Sequence, residues 1–337
     1  MKILFVPVTY NSYDALDNYI ASVGKALDAA ADPTISVTIH VADNSTVVES
    51  GKWKEESGKR KVERDMSAAE YSPSSFHFPL SSNLSLLTTH YPNPGYLPAA
   101  LKTIYSEDYA SYDYIIISNV DVTLDETFFT ALRDLKADAD TVWIAPFIWS
   151  PSEQRDVNPK IQERYTKKRL RLLRLFFRFP LVWYSYSKTV YRLRKQGTSP
   201  DPSKGEMTSP DPSKGEMTSP DPSEGGECQA GSDPGRPSSP LGRSGGVPIY
   251  AGHGSFMIFR PEIFQQEPKL DYPVFLFCEE IYMAEMARRI GKKVAHCPAV
   301  KVWDKEHAST GLMGLWRYCK YNHDALSYII HTFYEQD

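Results

Sequence analysis

The chain has 337 residues, 41% hydrophobic and 24% charged, with a formal net charge of −4, which excludes a disordered, fibrous or membrane-spanning chain and gives no global reason to expect a nucleic-acid partner. Four cysteines, Cys228, Cys278, Cys297 and Cys319, show no paired spacing for zinc or a disulfide framework, so a reducing cytosol is expected. The apolar part of the N-terminus is too short for a signal peptide, and no stretch reaches the roughly 18 apolar residues that span a bilayer.

Ile3 to Val8 reads as a buried strand, followed by the loop Thr9-Tyr10-Asn11-Ser12 and a helix from Tyr13 to Ala30 with Leu16, Ile20, Val23 and Leu27 on one face. The loop lacks both the Gly-x-Gly-x-x-Gly of a dinucleotide site and the Gly-rich Lys-Ser/Thr loop of a phosphate-binding ATPase. Ile35 to Ala42 is a second strand ending in Asp43-Asn44-Ser45. A carboxylate there is placed to accept from a ribose or a base, although Asp-Asn-Ser is also ordinary turn chemistry. Gly51 to Ser82 is polar with little periodicity and reads as an excursion off the sheet.

Leu84 to His90 is a third strand, Asn93-Pro-Gly95-Tyr96 a turn, and Leu97 to Tyr105 a helix. Tyr114 to Ser118 is almost wholly apolar, the mark of a strand buried on both faces of a parallel sheet. Asn119 and Asp121 follow at once, so a carboxylate reaches the strand's carboxyl edge, where open α/β sheets place ligands. Asp121 as a plain turn or cap residue is the competing reading. A helix from Glu126 to Leu135 and a strand from Thr141 to Ile148 continue the alternation, which predicts a three-layer α/β sandwich with a largely parallel sheet.

Between Lys160 and Lys195 there are twelve Lys or Arg against one acidic residue, Glu163. Lys167, Arg171, Arg174 and Arg178 recur on one helical face, with Leu172, Leu175, Phe176 and Phe179 on the other side. A cationic amphipathic helix of this kind lies in a membrane interface, or else packs its apolar side on the domain beneath snorkelling Arg stems. Thr198 to Met207 is then repeated perfectly from Thr208 to Met217 and partly again from Thr218 to Glu227. With one apolar residue per ten-residue unit no repeat has a face to bury, so residues 197–246 are expected to be a disordered Pro/Gly/Ser-rich insert in a single domain spanning 1–337.

Ordered sequence resumes at Val247, and Pro248 to Arg260 is a Gly/His/Ser loop, including His253, Gly254 and Ser255, that leads into a strand. Glu279 and Glu280 stand just ahead of a helix from Ile281 to Ile290, more acid than capping alone requires, beside Tyr272, Phe275 and Phe277, whose apolar surfaces raise a carboxyl's pKa as a general base needs. Lys293 to Val302 is a further strand, Trp303 to Thr310 carries Asp304 and His307, and Leu312 to Tyr334 is an aromatic-rich helix or helix pair. His307 in that cluster reads as a metal or phosphate ligand.

Taken in order, Val-Thr-Tyr-Asn after strand one, Val41-Ala-Asp43-Asn-Ser, Asn93-Pro-Gly-Tyr, Ser118-Asn119-Val-Asp121, Gly252-His-Gly-Ser-Phe-Met-Ile-Phe-Arg260, Phe277-Cys-Glu-Glu-Ile-Tyr-Met283 and the Asp/His/Ser-Thr segment resemble the family 2 glycosyltransferases with the GT-A fold, specifically the bacterial enzymes that build capsule, O-antigen and related surface glycans. The resemblance covers Lys2 to about Phe333 without the repeat insert. It implies a nucleotide-diphosphate sugar donor bound by Thr9, Tyr10, Asn11, Asp43, Asn44, Asn93, Gly95 and Asn119, and a divalent metal, Mn²⁺ or Mg²⁺, on Asp121 with His307 or Asp304. It further implies Glu280 as the base of an inverting transfer with Glu279 as the fallback, and His253, Gly254 and Ser255 on the side of a glycan or lipid-linked acceptor. The expected location is the cytoplasm, peripherally on the inner membrane through residues 160–195. The sequence departs from the family at Asn119, where many relatives have the motif's first Asp, at Leu101, where an Asn is frequent, and at Glu280, where Asp is usual. A catalytically silent fold that binds a glycan or a membrane partner is the alternative.

Overall fold

The computed structural model describes residues 1–45, 83–185, 246–304 and 313–335. The excursion from Gly51 to Ser82, the repeats, the basic residues beyond Ser185 and His307 lie outside them. Chain contacts divide the protein into a unit of Met1–Trp183 with Arg243–Asp337 and a second of Tyr184–Gly242, nearly all of which is outside the described residues.

In the first unit, β1 (Lys2–Thr9), α1 (Tyr13–Ala30), β2 (Ser36–Asp43), β3 (Leu84–His90), α2 (Tyr96–Ser106) and β4 (Tyr114–Asn119) follow the alternation the sequence predicts. Then come β5 (Val122–Leu124), α3 (Phe128–Asp134), β6 (Thr141–Ser150), β7 (Arg155–Asp156), α4 (Lys167–Arg178), β8 (Val247–Ile249), β9 (Phe256–Phe259), α5 (Glu279–Arg289), β10 (Lys293–Asp304) and α6 (Leu315–Ile329). A π-helical turn, Ile330–Tyr334, prolongs α6. Both glutamates thus belong to the first turn of α5 rather than standing ahead of it.

One ten-stranded sheet runs in the order β3-β2-β1-β4-β9-β6-β10-β5, with β7 on β6 and β8 on β10. Strands β1 to β4 pair parallel, as do β6 and β10. The largely parallel expectation holds for the main strands, with β9 reversed between β4 and β6, antiparallel to both, and the short β5, β7 and β8 antiparallel at the margins. The sheet is buried on both sides because its central strands carry long, nearly unbroken apolar runs. In β1, Leu4, Val6 and Val8 enter the core with α2 and α5, while Ile3 and Phe5 enter the opposite core with α1 and α3. Ile115 and Ile117 of β4 likewise face one layer and Ile116 the other, as strand alternation dictates.

That topology fixes where chemistry can sit. The carboxyl ends of β1, β2, β4, β6 and β10 share one edge, and the reversed β9 brings the loop before it, His253 to Ser255, to the same edge. Strand β5, antiparallel to β10, pairs Val122 with Asp304, which carries Asp121 and Asp304 to neighbouring positions there. Outside the sheet, α4 packs on the domain through Leu170 and Phe177, each burial worth about 1.5–3 kcal/mol.

Candidate active site

The floor of the site is the end of β1 and β2. The backbone N–H of Asn44 donates to the Thr9 carbonyl (2.8 Å), and its side-chain Nδ2 donates to the Gly95 carbonyl (2.8 Å). Thr9 and Asn44 are 1% and 3% exposed, yet Thr9 Oγ1 and Asn44 Oδ1 have no hydrogen-bond partner. A buried polar atom left unsatisfied costs about 1–3 kcal/mol, so both atoms have capacity for a further polar contact.

Asp43 sits deeper than the sequence suggests. Its Oδ1 accepts from the Ser45 N–H (2.9 Å) and its Oδ2 from the Tyr13 hydroxyl (3.1 Å), with the His90 ring 3.5 Å away. The carboxylate therefore braces the loops after β1 and β2. Tyr10 and Asn11 are exposed above it, Asn11 with φ 50° and its N–H donating to Ser45 Oγ (2.8 Å).

Gly95 is required where it stands. Its φ is +114°, and a Cβ would come within 2.2 Å of the Phe275 carbonyl oxygen. Only glycine permits this approach, by which the loop before α5 is held against the start of α2, with the Tyr96 N–H donating to the same carbonyl (3.2 Å). Asn93, at φ 49°, makes the turn that precedes it.

From α2, Tyr96 reaches into the centre of the site and donates its hydroxyl to the Gly254 carbonyl (2.9 Å). The hydroxyl's pKa is pushed well above its ordinary value, first by burial and then by the negative charges of Glu279, Asp121 and Glu280 and by Tyr19. Carboxylates from two separate stretches of the chain, Asp121 and the Glu279-Glu280 pair, thus act on one phenol. The Gly254 N–H donates to Glu280 Oε1 (3.3 Å), and a Cβ on Gly254 would lie 3.1 Å from that oxygen, so a side chain there would crowd the carboxylate. The Asn119 N–H donates to the Ser255 carbonyl (2.9 Å), tying the end of β4 to the same loop.

The two glutamates have different environments because adjacent helical residues point about 100° apart. Glu279 is buried and its Oε1 accepts the Phe277 N–H (2.8 Å), while Glu280 is half-buried at the loop. Burial first, then the neighbouring Glu280 charge, pushes the Glu279 carboxyl up to about 8. Phe277 and Cys278 both have left-handed backbones, φ 75° and 61°, a conformation that costs of order 1–3 kcal/mol per non-glycine residue. It is held in place because the Tyr272 hydroxyl donates to the Phe277 carbonyl while Glu279 accepts its N–H.

A titration follows from the raised Glu279. Between its ordinary value, 4.5, and about 8, the folded chain holds a proton that the unfolded chain has released, so stability is full below the lower value and declines as pH rises through the upper. The urea midpoint of the wild-type chain is expected to fall between pH 5 and 8 by more than that of Glu279→Gln. Parallel pH profiles for the two would contradict the assignment.

Asn158, which the sequence reading passed over, holds the loop from behind. It is buried, its Nδ2 donates to the Pro146 carbonyl (2.6 Å) and its Oδ1 accepts the His253 N–H (2.7 Å). Asp156 in turn accepts from the Asn158 N–H (2.9 Å) and faces His296 Nε2 at 3.0 Å. The His253 ring lies 2.9 Å from Ser255 Oγ. The turn signal in Asp156-Val-Asn158-Pro159 was the available cue. Tyr96 was visible only as the end of a turn.

Asp121 is half-buried and adjacent in register to Asp304. Among the described residues no three His, Cys, Asp or Glu side chains gather as a metal cage. Two hard carboxylates nonetheless suit Mg²⁺ or Mn²⁺, which take one or two protein carboxylates and fill their shell with phosphate and water oxygens. Clefts of about 320 and 630 Å³ lie elsewhere, the first lined by Leu101, Tyr105 and Asp271 among others and the second by Asp271, Tyr282 and Arg289 among others, and neither is lined by any of these site residues. The chemistry, not the cavity volume, marks the site.

The class defined by fold and site is therefore an α/β sandwich with an acidic cluster at the carboxyl edge of its sheet. No family model matches the chain, and no curated protein matches it. Among solved structures it is similar to a mannosyltransferase from Pyrobaculum calidifontis in complex with GDP-Man and Mn²⁺, at 11% identity and TM-score 0.45, over 94% of this chain and 60% of that one. It is also similar to the catalytic domain of Drosophila beta1,4-galactosyltransferase 7 in complex with xylobiose, at 10% identity and TM-score 0.34, over 88% of this chain and 64% of that one. Neither likeness assigns a role to any residue here.

Proposed function

We propose that this chain is an inverting glycosyltransferase of the family 2, GT-A type, moving a hexosyl or deoxyhexosyl group from a nucleotide-diphosphate sugar to a hydroxyl of a glycan or lipid-linked acceptor in bacterial surface-polysaccharide synthesis. The observation that carries the reading is the chain of contacts from the Tyr96 hydroxyl to the Gly254 carbonyl and from the Gly254 N–H to the Glu280 carboxylate, at the sheet edge that also carries Asp121, with burial and the charges of Glu279, Asp121 and Glu280 holding the Tyr96 phenol protonated. Neighbouring carboxylates such as Glu279 and Glu280 are unfavourable together unless a proton or a cation offsets them.

In this reading Thr9, Asn44 and the loop Tyr10-Asn11 line the nucleotide pocket, with Asp43 and Asn93-Gly95 shaping it. Asp121, with Asp304 and with His307 from beyond the described residues, would hold the metal. A bound Mg²⁺ or Mn²⁺ supplies neutralisation of the charge that builds on the departing diphosphate. Glu280 accepts the proton of the acceptor hydroxyl as its oxygen bonds to the anomeric carbon, and the bond to the diphosphate breaks on the opposite face, taking its electron pair with the leaving group. Asn158 and Gly254 keep the acceptor-side loop, His253 to Ser255, against Glu280. A lipid-linked acceptor would bring the enzyme to the cytoplasmic face of the inner membrane as a peripheral protein. No helix among the described residues is long and apolar enough to cross a membrane.

The reading is tested by incubating the chain and Mn²⁺ with a panel of sugar nucleotides and following nucleotide-diphosphate release. One donor is expected to turn over slowly without acceptor. No release from any of them, with or without a glycan acceptor, would count against the enzyme and for a silent binding fold.

A further inference from the structure

Helix α4 has a second apolar face that the described residues leave largely exposed. Advancing about 100° per residue, Leu170 and Phe177 lie together on the buried side. Leu172, Leu175 and Phe179 fall together about half a turn away and are 52%, 53% and 50% exposed. Leu181 and Val182, in the turn that follows, are 70% and 49% exposed. Arg171 and Arg178 lie on one flank of the outward row, Arg169 on the other and Lys168 within it, all exposed. From Lys167 to Trp183 there is no acidic residue. Glu335 is one acidic group whose charge is felt by the helix, at Lys167 and Arg171.

We propose that this outward face of α4 docks the protein on an anionic lipid surface. A convex row of large apolar side chains flanked on both sides by long cationic ones is the form that enters the headgroup boundary, apolar side down, while Arg and Lys stems reach up to the phosphates. A monomer gains nothing from exposing so much Leu and Phe to water. A second copy of the same face is disfavoured, since it would set the Arg171 and Arg178 flanks against like charges. A groove-bearing acidic protein is the competing occupant. The lipid is favoured because the row is convex and continues through Leu181 and Val182 without a single acid or amide to orient a protein partner. The docking surface does not depend on the transferase reading.

The test uses the full chain in co-sedimentation with vesicles of phosphatidylcholine alone and of phosphatidylcholine with phosphatidylglycerol. Wild type is expected to bind the anionic vesicles at least roughly tenfold more tightly than the neutral ones, and Lys168→Gln/Arg171→Gln/Arg178→Gln to lose most of that preference. Leu172→Ser/Leu175→Ser/Phe179→Ser, at positions about half exposed and so tolerant of change, is expected to lose roughly tenfold or more. Slowed amide exchange in α4 of the wild-type chain on adding anionic vesicles checks the same contact without any variant. Equal binding by the serine variant, equal binding to both vesicles, unchanged exchange in α4, or a wild-type dimer that the serine variant dissolves in the absence of lipid would each overturn the proposal.

Discussion

Glu280→Gln is expected to lower kcat by something on the order of 10²–10⁴-fold, the usual contribution of a positioned general base, with little change in donor KM. The substitution is nearly isosteric, and its amide oxygen can still accept the Gly254 N–H, so the loop and the donor pocket remain as they are. What is lost, on the proposed mechanism, is the atom that would take the acceptor's proton. Glu279→Gln is expected to have the smaller kinetic effect, because Glu279 is buried and turned back onto Phe277, where it holds the left-handed turn rather than facing an acceptor. A larger loss in Glu279→Gln than in Glu280→Gln would transfer the base to the buried residue, whose carboxyl, raised to about 8, would then deliver activity mainly at alkaline pH.

The second large effect is expected at Asp121. Asn in its place keeps the size and removes the charge. At a half-buried edge position the folding cost should stay within about 1 kcal/mol. Stabilisation of the leaving diphosphate should fall by something on the order of 10²–10³-fold in kcat/KM, the scale on which removing one preorganised electrostatic contact acts. Asp304→Asn, the neighbour across β10, is expected to weaken the same step less, with excess Mn²⁺ restoring part of it. Unchanged kinetics in Asp121→Asn over a range of Mn²⁺ concentrations would show that the carboxylate serves only the turn into β5.

Much of the fold was legible because the central strands are buried on both faces, which leaves an unbroken apolar run at Ile3 to Val8 and Ile115 to Ile117 that has no other use. The same runs told where the carboxyl edge lies, and so why Asp43 and Asp121 stand out. Direction was not legible. Phe256–Phe259 is as apolar as a parallel strand, and only its pairing with β4 and β6 shows it reversed. Nor does a pattern of residue types say which of Glu279 and Glu280 is buried, since either could face the core until the left-handed turn at Phe277 and Cys278 sets the phase of α5. Asn158 was invisible for a simpler reason: its value lies in both ends of one amide being used across 95 residues of sequence, to His253, and 12, to Pro146. On α4 the sequence showed a basic stripe and an apolar side, but not that Leu170 and Phe177 take the burial and leave Leu172, Leu175 and Phe179 outside.

The most direct measurement is calorimetric binding of UDP, GDP and dTDP to the full chain, with and without Mn²⁺, alongside Asp121→Asn. If the acidic edge is a nucleotide-diphosphate site, one of the three binds in the presence of Mn²⁺, binds at least roughly tenfold more weakly without it, and loses the metal dependence in Asp121→Asn. Binding of none of them by a folded wild-type chain saturated with Mn²⁺ would contradict the account.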